Sequence, residues 1–518
     1  MNGGKSRIRV PESILASFFG FVNSTPTEPK ALDASSSSRI NQLLRRGLQP
    51  VDIASLTMFR ISFGAITCWW ALDYIIRGRL QVAYIDPRFH FTYYGFDWVR
   101  PLPDTGMYLL FFGLAASGVA IAAGFLYRWA TFLFALGFTY VFLLDRINYQ
   151  NHYYLIILIS WLLVLLPLNR AFSVDASRGL TNPSQTVPTW MLWLARFHIA
   201  LPYFFGGLAK FEVDWFAGAP LRQILAARSG WPVIGSWLVD ERVVQGFIWG
   251  GLLLDLLVVP ALIWRPTRVL AYLACTVFHV LNSQLFSIHI FPWFMIAATT
   301  LFFEPNWPRR LFRRVQPSAS SHSAAAVPPR PSFRMLAGGL LLATYCLFHC
   351  IWPLRHHLYP GVTSWTERGH FFAWRMMLRG KTVGIRYDLT DTVTGKKQIV
   401  DPRFVLSPLQ VITFARDPEM ILHLAHFFRD EYRRQFGHEA EVRALVLTSL
   451  NGRKPQLQID PSVDLAKEPR GFHLRPWIAP LTEPLPEVPW NVPMGEWERH
   501  VNISQLLERT QSSDLKHP

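Results

Sequence analysis

The sequence predicts a polytopic α-helical membrane bundle of about nine spans, followed by a mostly β soluble C-terminal domain. Three observations carry this expectation. Hydrophobic residues make up 51% of the 518 positions, with 39 Phe and 20 Trp, while charged residues make up only 17%. The apolar residues fall in blocks, several of which approach the roughly 20 residues needed to cross a bilayer. The blocks stop near Arg355, and alternating apolar and polar residues around turn signals take over. The net charge of +16 sits on basic residues that flank the apolar blocks. It therefore reads as a topology signal and a contact with the lipid bilayer, not as a nucleic-acid footprint.

Residues 1–49 form a polar arm, with Ser35 to Ser38 in a row and Arg45-Arg46 near its end. The arm has no apolar core followed by a small-residue cleavage site, so it does not read as a signal peptide. Residues 50–314 carry spans one to eight, near 53–76, 107–127, 130–144, 153–168, 190–210, 243–264, 269–286 and 288–303. The third, fourth and eighth are short, which leaves tilt or a re-entrant path open there. Residues 315–332, rich in Ser, Ala and Pro, read as a flexible linker. A ninth span lies within 333–354, a β-rich non-cytoplasmic domain over 355–475, and a Pro-rich arm over 476–518.

Arginines set the orientation. Arg39, Arg45 and Arg46 precede the first span, and Arg309, Arg310, Arg313 and Arg314 follow the eighth. An even number of spans puts both groups on the cytoplasmic side, and a ninth sends the tail to the opposite face. The loop after the first span, with Arg77, Arg79, Arg88 and Arg100, opposes the rule, although Asp86, Asp97 and Asp104 partly offset it. In the tail, 381–389 and 397–400 alternate around Thr394-Gly395, and 442–450 and 456–459 around Asn451-Gly452, as hairpins do. Between them Asp417, Pro418 and Gly437 read as the N-cap, first residue and C-terminal stop of an amphipathic helix.

Candidate chemistry centres on Gly206-Gly-Leu-Ala-Lys-Phe-Glu-Val-Asp-Trp215. Lys210 ends a long apolar run, where an ammonium must snorkel, pair or shed its proton. A neutral amine in a dry pocket is a usable base. Position alone favours the plainer alternative, a boundary lysine reaching the headgroups beside Trp215. Two further polar clusters fall on the same expected side: Asp145 to His152, and Asn282 to His289 with His279 one turn earlier. Each residue taken singly reads as structural; together they suit a lipid-soluble substrate. Arg60, Asp73, Arg196 and Asp255 lie within spans and are expected mostly to pair with one another. Cys68, Cys275, Cys346 and Cys350 all fall in apolar segments, without zinc spacing or a disulfide framework. There is no phosphate-binding glycine loop, no GxSxG elbow and no CxxC.

Ala54 to Arg60, Phe142 to Asp145, Asn151-His152, Gly207 to Trp215, Gly251 to Asp255, Phe278-His279, Asn282 to Ile288, Trp374 and Met376-Met377 occur in an order that resembles the vitamin K-dependent gamma-glutamyl carboxylases. The likeness runs from about residue 50 to residue 380. It implies a lysine that deprotonates vitamin K hydroquinone, addition of O2, and an alkoxide strong enough to take a glutamate γ-proton. Capture of CO2 then gives γ-carboxyglutamate, and the quinone leaves as its epoxide, with no metal. By that resemblance Lys210 is the base and His152 its catalytic companion, with Ala209 where the family has a second lysine. Asn151, His279, Asn282 and Gln284 are expected around the quinone, and Trp374, Met376, Met377 and Arg379 around the glutamate. The implied partners are a glutamate-containing protein or peptide and a quinone reductase that supplies reduced vitamin K.

The sequence departs from the animal members in several places. Their cysteine pair is missing, the chain is shorter, and His370 to Trp374 is followed by Arg375 and Arg379 in place of an acid and a histidine. A quinol oxygenase without glutamate carboxylation, or a non-catalytic lipid- or partner-binding membrane protein, are the alternatives. The departures favour a bacterial cytoplasmic membrane with a periplasmic tail, or the endoplasmic reticulum membrane if the source is eukaryotic.

Overall fold

The computed structural model describes residues 34–232, 234–286, 288–312 and 332–501. Most of the polar arm, nearly all of the expected linker, Arg313, Arg314, Ser287 and the end of the Pro-rich arm lie outside these residues. A first helix, α1 (Ala34–Leu48), and a short strand, β1 (Pro50–Asp52), lead into α2 (Ala54–Ile76), α3 (Asp104–Ala123), α4 (Tyr127–Leu144) and α5 (Asn151–Leu165). Strand β2 (Thr186–Pro188) pairs antiparallel with β1. Helices α6 (Thr189–Leu208), α7 (Glu241–Ile263), α8 (Arg268–Leu285), α9 (Phe291–Thr299) and α10 (Phe333–Ile351) follow.

Helices thus occupy all nine expected places, and four of them have the length and hydropathy of a membrane span. Among the described residues, α3, α4, α7 and the stretch from Phe333 to Leu358 are the four long and apolar enough to cross a membrane. Helix α5 and the helical stretch from Phe291 to Phe302, which includes α9, are apolar but shorter. Helices α2, α6 and α8 are diluted by residues such as Arg60 and Asp73, Arg196 and His198, and His279 and Asn282.

The crossing of α2 and α3 rests on two glycines. A Cβ added at Gly64 would overlap the Gly118 carbonyl oxygen, and one at Gly118 would lie 2.8 Å from the Gly64 oxygen. Small residues here let the two backbones touch, a packing mode suited to lipid, where no water is released by burying leucines. Around the crossing Phe59, Phe63, Phe134 and Phe294 interlock in tilted and edge-on pairs.

The arginines within α2 and α6 do not pair with acids as expected. Arg60, fully buried, donates to the carbonyls of Leu168 (2.9 Å), Ala122 (3.2 Å) and Phe172 (2.7 Å). Arg196 donates to the carbonyls of Leu301 (2.8 Å) and Phe303 (3.2 Å). Ala122 and Leu301 lie where helices end, so the partial negative charge of unsatisfied carbonyls offsets these guanidiniums. Asp73 pairs with Arg77 and Arg79 at the far end of α2.

The C-terminal region folds as an antiparallel sheet in the order β4-β3-β5-β6: β3 (Lys381–Asp391), β4 (Lys397–Val400), β5 (Ala440–Leu450) and β6 (Gln456–Leu457). Both expected hairpins are present. The β3–β5 register runs from Lys381↔Leu450 to Asp391↔Ala440. Helix α11 (Pro408–Phe414) precedes α12 (Pro418–Phe436), which Asp417 caps and Gly437 ends at φ 82°, a conformation that glycine adopts without Cβ strain. Tyr387 packs edge-on to Phe428 (5.0 Å), and Leu424, Val442 and Val446 are fully buried beside them. The expectation of a mostly β domain needs correction: this region has one small sheet, two helices longer than one turn and a long irregular path. Prolines after Ile459 keep that path out of regular pairing. Phe91 and Ile147 from the bundle join this core, and Trp374 from the tail joins the bundle core, so the two parts are interlocked.

Candidate active site

Two glycines bring the central charges together. A Cβ at Gly207 would lie 2.7 Å from Leu256 Cδ2 and 3.2 Å from Asp255 Cβ; one at Gly206 would lie 3.3 Å from Asp255 Oδ2. Without side chains there, α7 approaches the end of α6 closely enough for Asp255 to reach Lys210. The Lys210 ammonium donates to Asp255 and to the Gly206 carbonyl (3.1 Å), and sits 5.1 Å from the centre of the Trp215 ring. Lysine and aspartate are each only 5% exposed. Burying a lone charge here would cost several kcal/mol, so each makes the other tolerable. Lys210 therefore pairs inward instead of snorkelling.

The pair faces a cavity of about 430 Å³ between the bundle and the C-terminal region. All three sequence clusters contribute to its wall. Helix α7 presents Phe247, Gly251 and Asp255, spaced four apart, and α8 presents His279 and Asn282, at i and i+3, with Phe286 just past its end. His152, in the first turn of α5, stacks on Phe291 (5.3 Å). Its Nε2 is buried without a hydrogen-bond partner, as are His279 Nδ1 and Trp215 Nε1. His279 Nε2 meets the Tyr203 hydroxyl at 2.7 Å, which in turn lies 2.9 Å from Cys275 Sγ. Orphaned polar atoms on an apolar wall are what a ligand with a few polar groups would satisfy.

Asn151 lines the cavity, but its polar atoms are engaged: Oδ1 accepts from the Tyr149 hydroxyl (2.9 Å) and Nδ2 donates to the Arg375 carbonyl (3.4 Å). Met376, Met377 and Arg379 also line it. Arg379 pairs with Glu367 (2.6 Å) and meets His370 Nε2 at 2.6 Å, while Arg375 pairs with Glu212. Burial, reinforced by Arg379 and Arg375, holds the His370 imidazole well below its usual pKa, so it is neutral.

Two residues are not where the sequence put them. Gln284 is exposed and hydrogen-bonds Ser283 (3.1 Å), because i+5 from His279 is off the cavity face of α8. Trp374 is 1% exposed and packs on Tyr154 (5.2 Å) within the bundle core, off the cavity wall. Asp255, expected only to pair, lines the cavity; so do His370 and Arg375, read from the sequence only as a departure from the animal members, while Tyr203 was missed. Asp255 carried a readable signal, an acid in the middle of an apolar helix. Tyr203 carried none.

Residues 48–307 match the model of the HTTM domain, and residues 336–484 match that of the vitamin K-dependent gamma-carboxylase lumenal domain. The chain belongs to the vitamin K-dependent gamma-carboxylase family. The cavity of this carboxylase-family protein lies where the two matched regions meet: Lys210, Asp255 and His279 come from the first, and Met376, Met377 and Arg379 from the second. No solved structure matches the chain.

Proposed function

We propose that this protein is a vitamin K-dependent carboxylase that couples oxygenation of reduced vitamin K to γ-carboxylation of glutamate. The observation that carries the reading is the buried Lys210–Asp255 pair on an apolar cavity that also holds two imidazoles, each with an unpartnered nitrogen. Reduced vitamin K and O2 supply the strong base when bound, and CO2 supplies the new carboxyl group. The chain's own work is to hold the quinol, accept its proton and keep water away.

The unpartnered His152 Nε2 and His279 Nδ1 suit two ring oxygens of a hydroquinone, and the apolar walls suit its fused rings. Lys210 enters as an ammonium beside Asp255, so it cannot take a proton until it has passed one to that carboxylate. In the neutral form of the pair Asp255 holds that proton and Lys210 is the free amine; on taking the quinol proton it becomes an ammonium beside a neutral carboxyl, with the new quinol anion as its counter-charge. A dry cavity protects a strong base and a carbanion from quenching. We place the protein in a bacterial cytoplasmic membrane, with the tail on the periplasmic face and a quinone reductase upstream.

A second reading, a quinol oxygenase that leaves glutamate untouched, draws support from the cavity wall, where Arg375 and Arg379 are already paired with Glu212 and Glu367. Purified protein given reduced vitamin K, O2, labelled bicarbonate and a glutamyl peptide separates the two. Label in the peptide supports carboxylation, and epoxide without label supports the oxygenase. Neither product from folded protein leaves a binding protein and defeats both.

A further inference from the structure

A second cavity, about 280 Å³, lies beside the first and shares Arg146, Phe371 and Asp417 with it. Each acid in its wall is already matched by a cation. Asp417 pairs with Arg146 (2.7 Å), Glu367 with Arg379 and Lys381 (2.6 Å each), and Glu419 with Arg470 (3.3 Å) and Arg475. Two of its arginines have no such match. Arg355 donates to the carbonyls of Trp352 (3.0 Å) and Phe371, and Arg368 to those of Phe472 (3.1 Å) and His473. Neither makes an ion pair among the described residues. In addition, the Tyr93 hydroxyl, on a residue 8% exposed, and Arg475 Nε are buried in this wall without hydrogen-bond partners.

We propose that this second cavity binds a carboxylate of an acidic peptide. Guanidinium forks match carboxylates in shape and charge, and an anion here would offset two charges and satisfy two orphaned donors at once. The partition between the cavities is itself unusual. Phe371 is held between the Arg146 guanidinium (4.2 Å) and the Tyr149 ring (4.4 Å). The backbone on either side takes positive φ at Glu367 (59°), Phe372 (60°), Trp374 (58°) and Met377 (61°). Such conformations cost about 1 kcal/mol or more each and persist where packing enforces them, often at ligand sites. A peptide carboxylate anchored in the second cavity leaves a neighbouring side chain across Phe371 from the cavity that Lys210 lines. The inference rests on the carboxylase reading for its choice of peptide, but binding is measured without turnover.

The test is fluorescence anisotropy of a labelled glutamyl peptide with full-length protein in detergent, against the same peptide with glutamine. The glutamyl form binds more tightly, and Arg368→Gln weakens it roughly tenfold, the size expected for a lost charged hydrogen bond. Tyr93→Phe removes a hydroxyl that supports nothing in the fold, so it keeps the melting temperature and still weakens the glutamyl peptide several-fold. Epoxide formation without peptide is unchanged in both variants. Equal affinity for the two peptides, or wild-type affinity in both variants, overturns the proposal. So does loss of the difference when phosphatidylglycerol vesicles are added, which assigns the cavity to a lipid headgroup. Peptide binding of the expected pattern with no label entering the peptide defeats the carboxylase reading and leaves the cavity's role standing.

Discussion

Lys210 and Asp255, 45 residues apart in the chain, form a buried ion pair at the meeting of α6 and α7. The pair makes stability and chemistry separable. Lys210→Ala strands a carboxylate in an apolar wall and is expected to cost about 3–5 kcal/mol. Lys210→Met with Asp255→Leu removes both charges and should recover most of that loss while remaining inactive. Thermal unfolding in detergent and epoxide formation, measured side by side, check both halves.

Glycine substitutions should rank by what the new methyl group meets. Gly64→Ala drives a Cβ into the Gly118 backbone oxygen, which cannot move without its helix. Gly206→Ala meets the tip of Met376 at 3.0 Å, a flexible side chain that can turn away. We expect Gly64→Ala to destabilise by more than about 2 kcal/mol and Gly206→Ala by less. Melting temperatures in the reverse order would mean that the α2–α3 crossing is looser than described.

His152→Phe keeps the stacking on Phe291 but removes the unpartnered Nε2. It should lower quinol turnover by about 10-fold or more with little change in melting temperature, since that nitrogen bonds nothing in the fold. Gln284→Ala, on the exposed side of α8, should leave turnover unchanged. Steady-state epoxide formation for both variants tests the face assignment of α8 together with the role of His152.

Burial lowers the Lys381 pKa to about 8, despite its pairing with Glu367. The unfolded chain then holds this proton more tightly than the folded one, so the group destabilises below pH 8. Its penalty is relieved as pH rises from about 8 towards the ordinary lysine value. The stability difference between wild type and Lys381→Met should therefore grow in favour of wild type across that window. A pH-independent difference in unfolding free energy would show that Lys381 titrates normally.

Much of the helix plan was legible because apolar blocks, arginine flanks and turn residues are local signals. Asp417, Pro418 and Gly437 bound α12 as expected, and both hairpins pair around their Gly-containing turns. The number of crossing helices was less legible. The polar residues that build the cavity and cap the helices also lower the hydropathy of α2, α6 and α8. At the site, residues on regular helices could be read from spacing: Asn282 follows His279 at i+3, while Gln284 does not fit. Trp374 lies in a loop with φ 58°, where direction does not follow from sequence order. The closeness of Lys210 and Asp255 depends on Gly206 and Gly207 facing α7, a tertiary relation that no single segment carries.

The most direct measurement is epoxide yield from vitamin K hydroquinone under O2, comparing wild type with Lys210→Met/Asp255→Leu at matched melting temperature. A drop of roughly 10²–10⁴-fold is predicted if the pair takes up the quinol proton. Wild-type epoxide yield from the folded double variant would contradict that account.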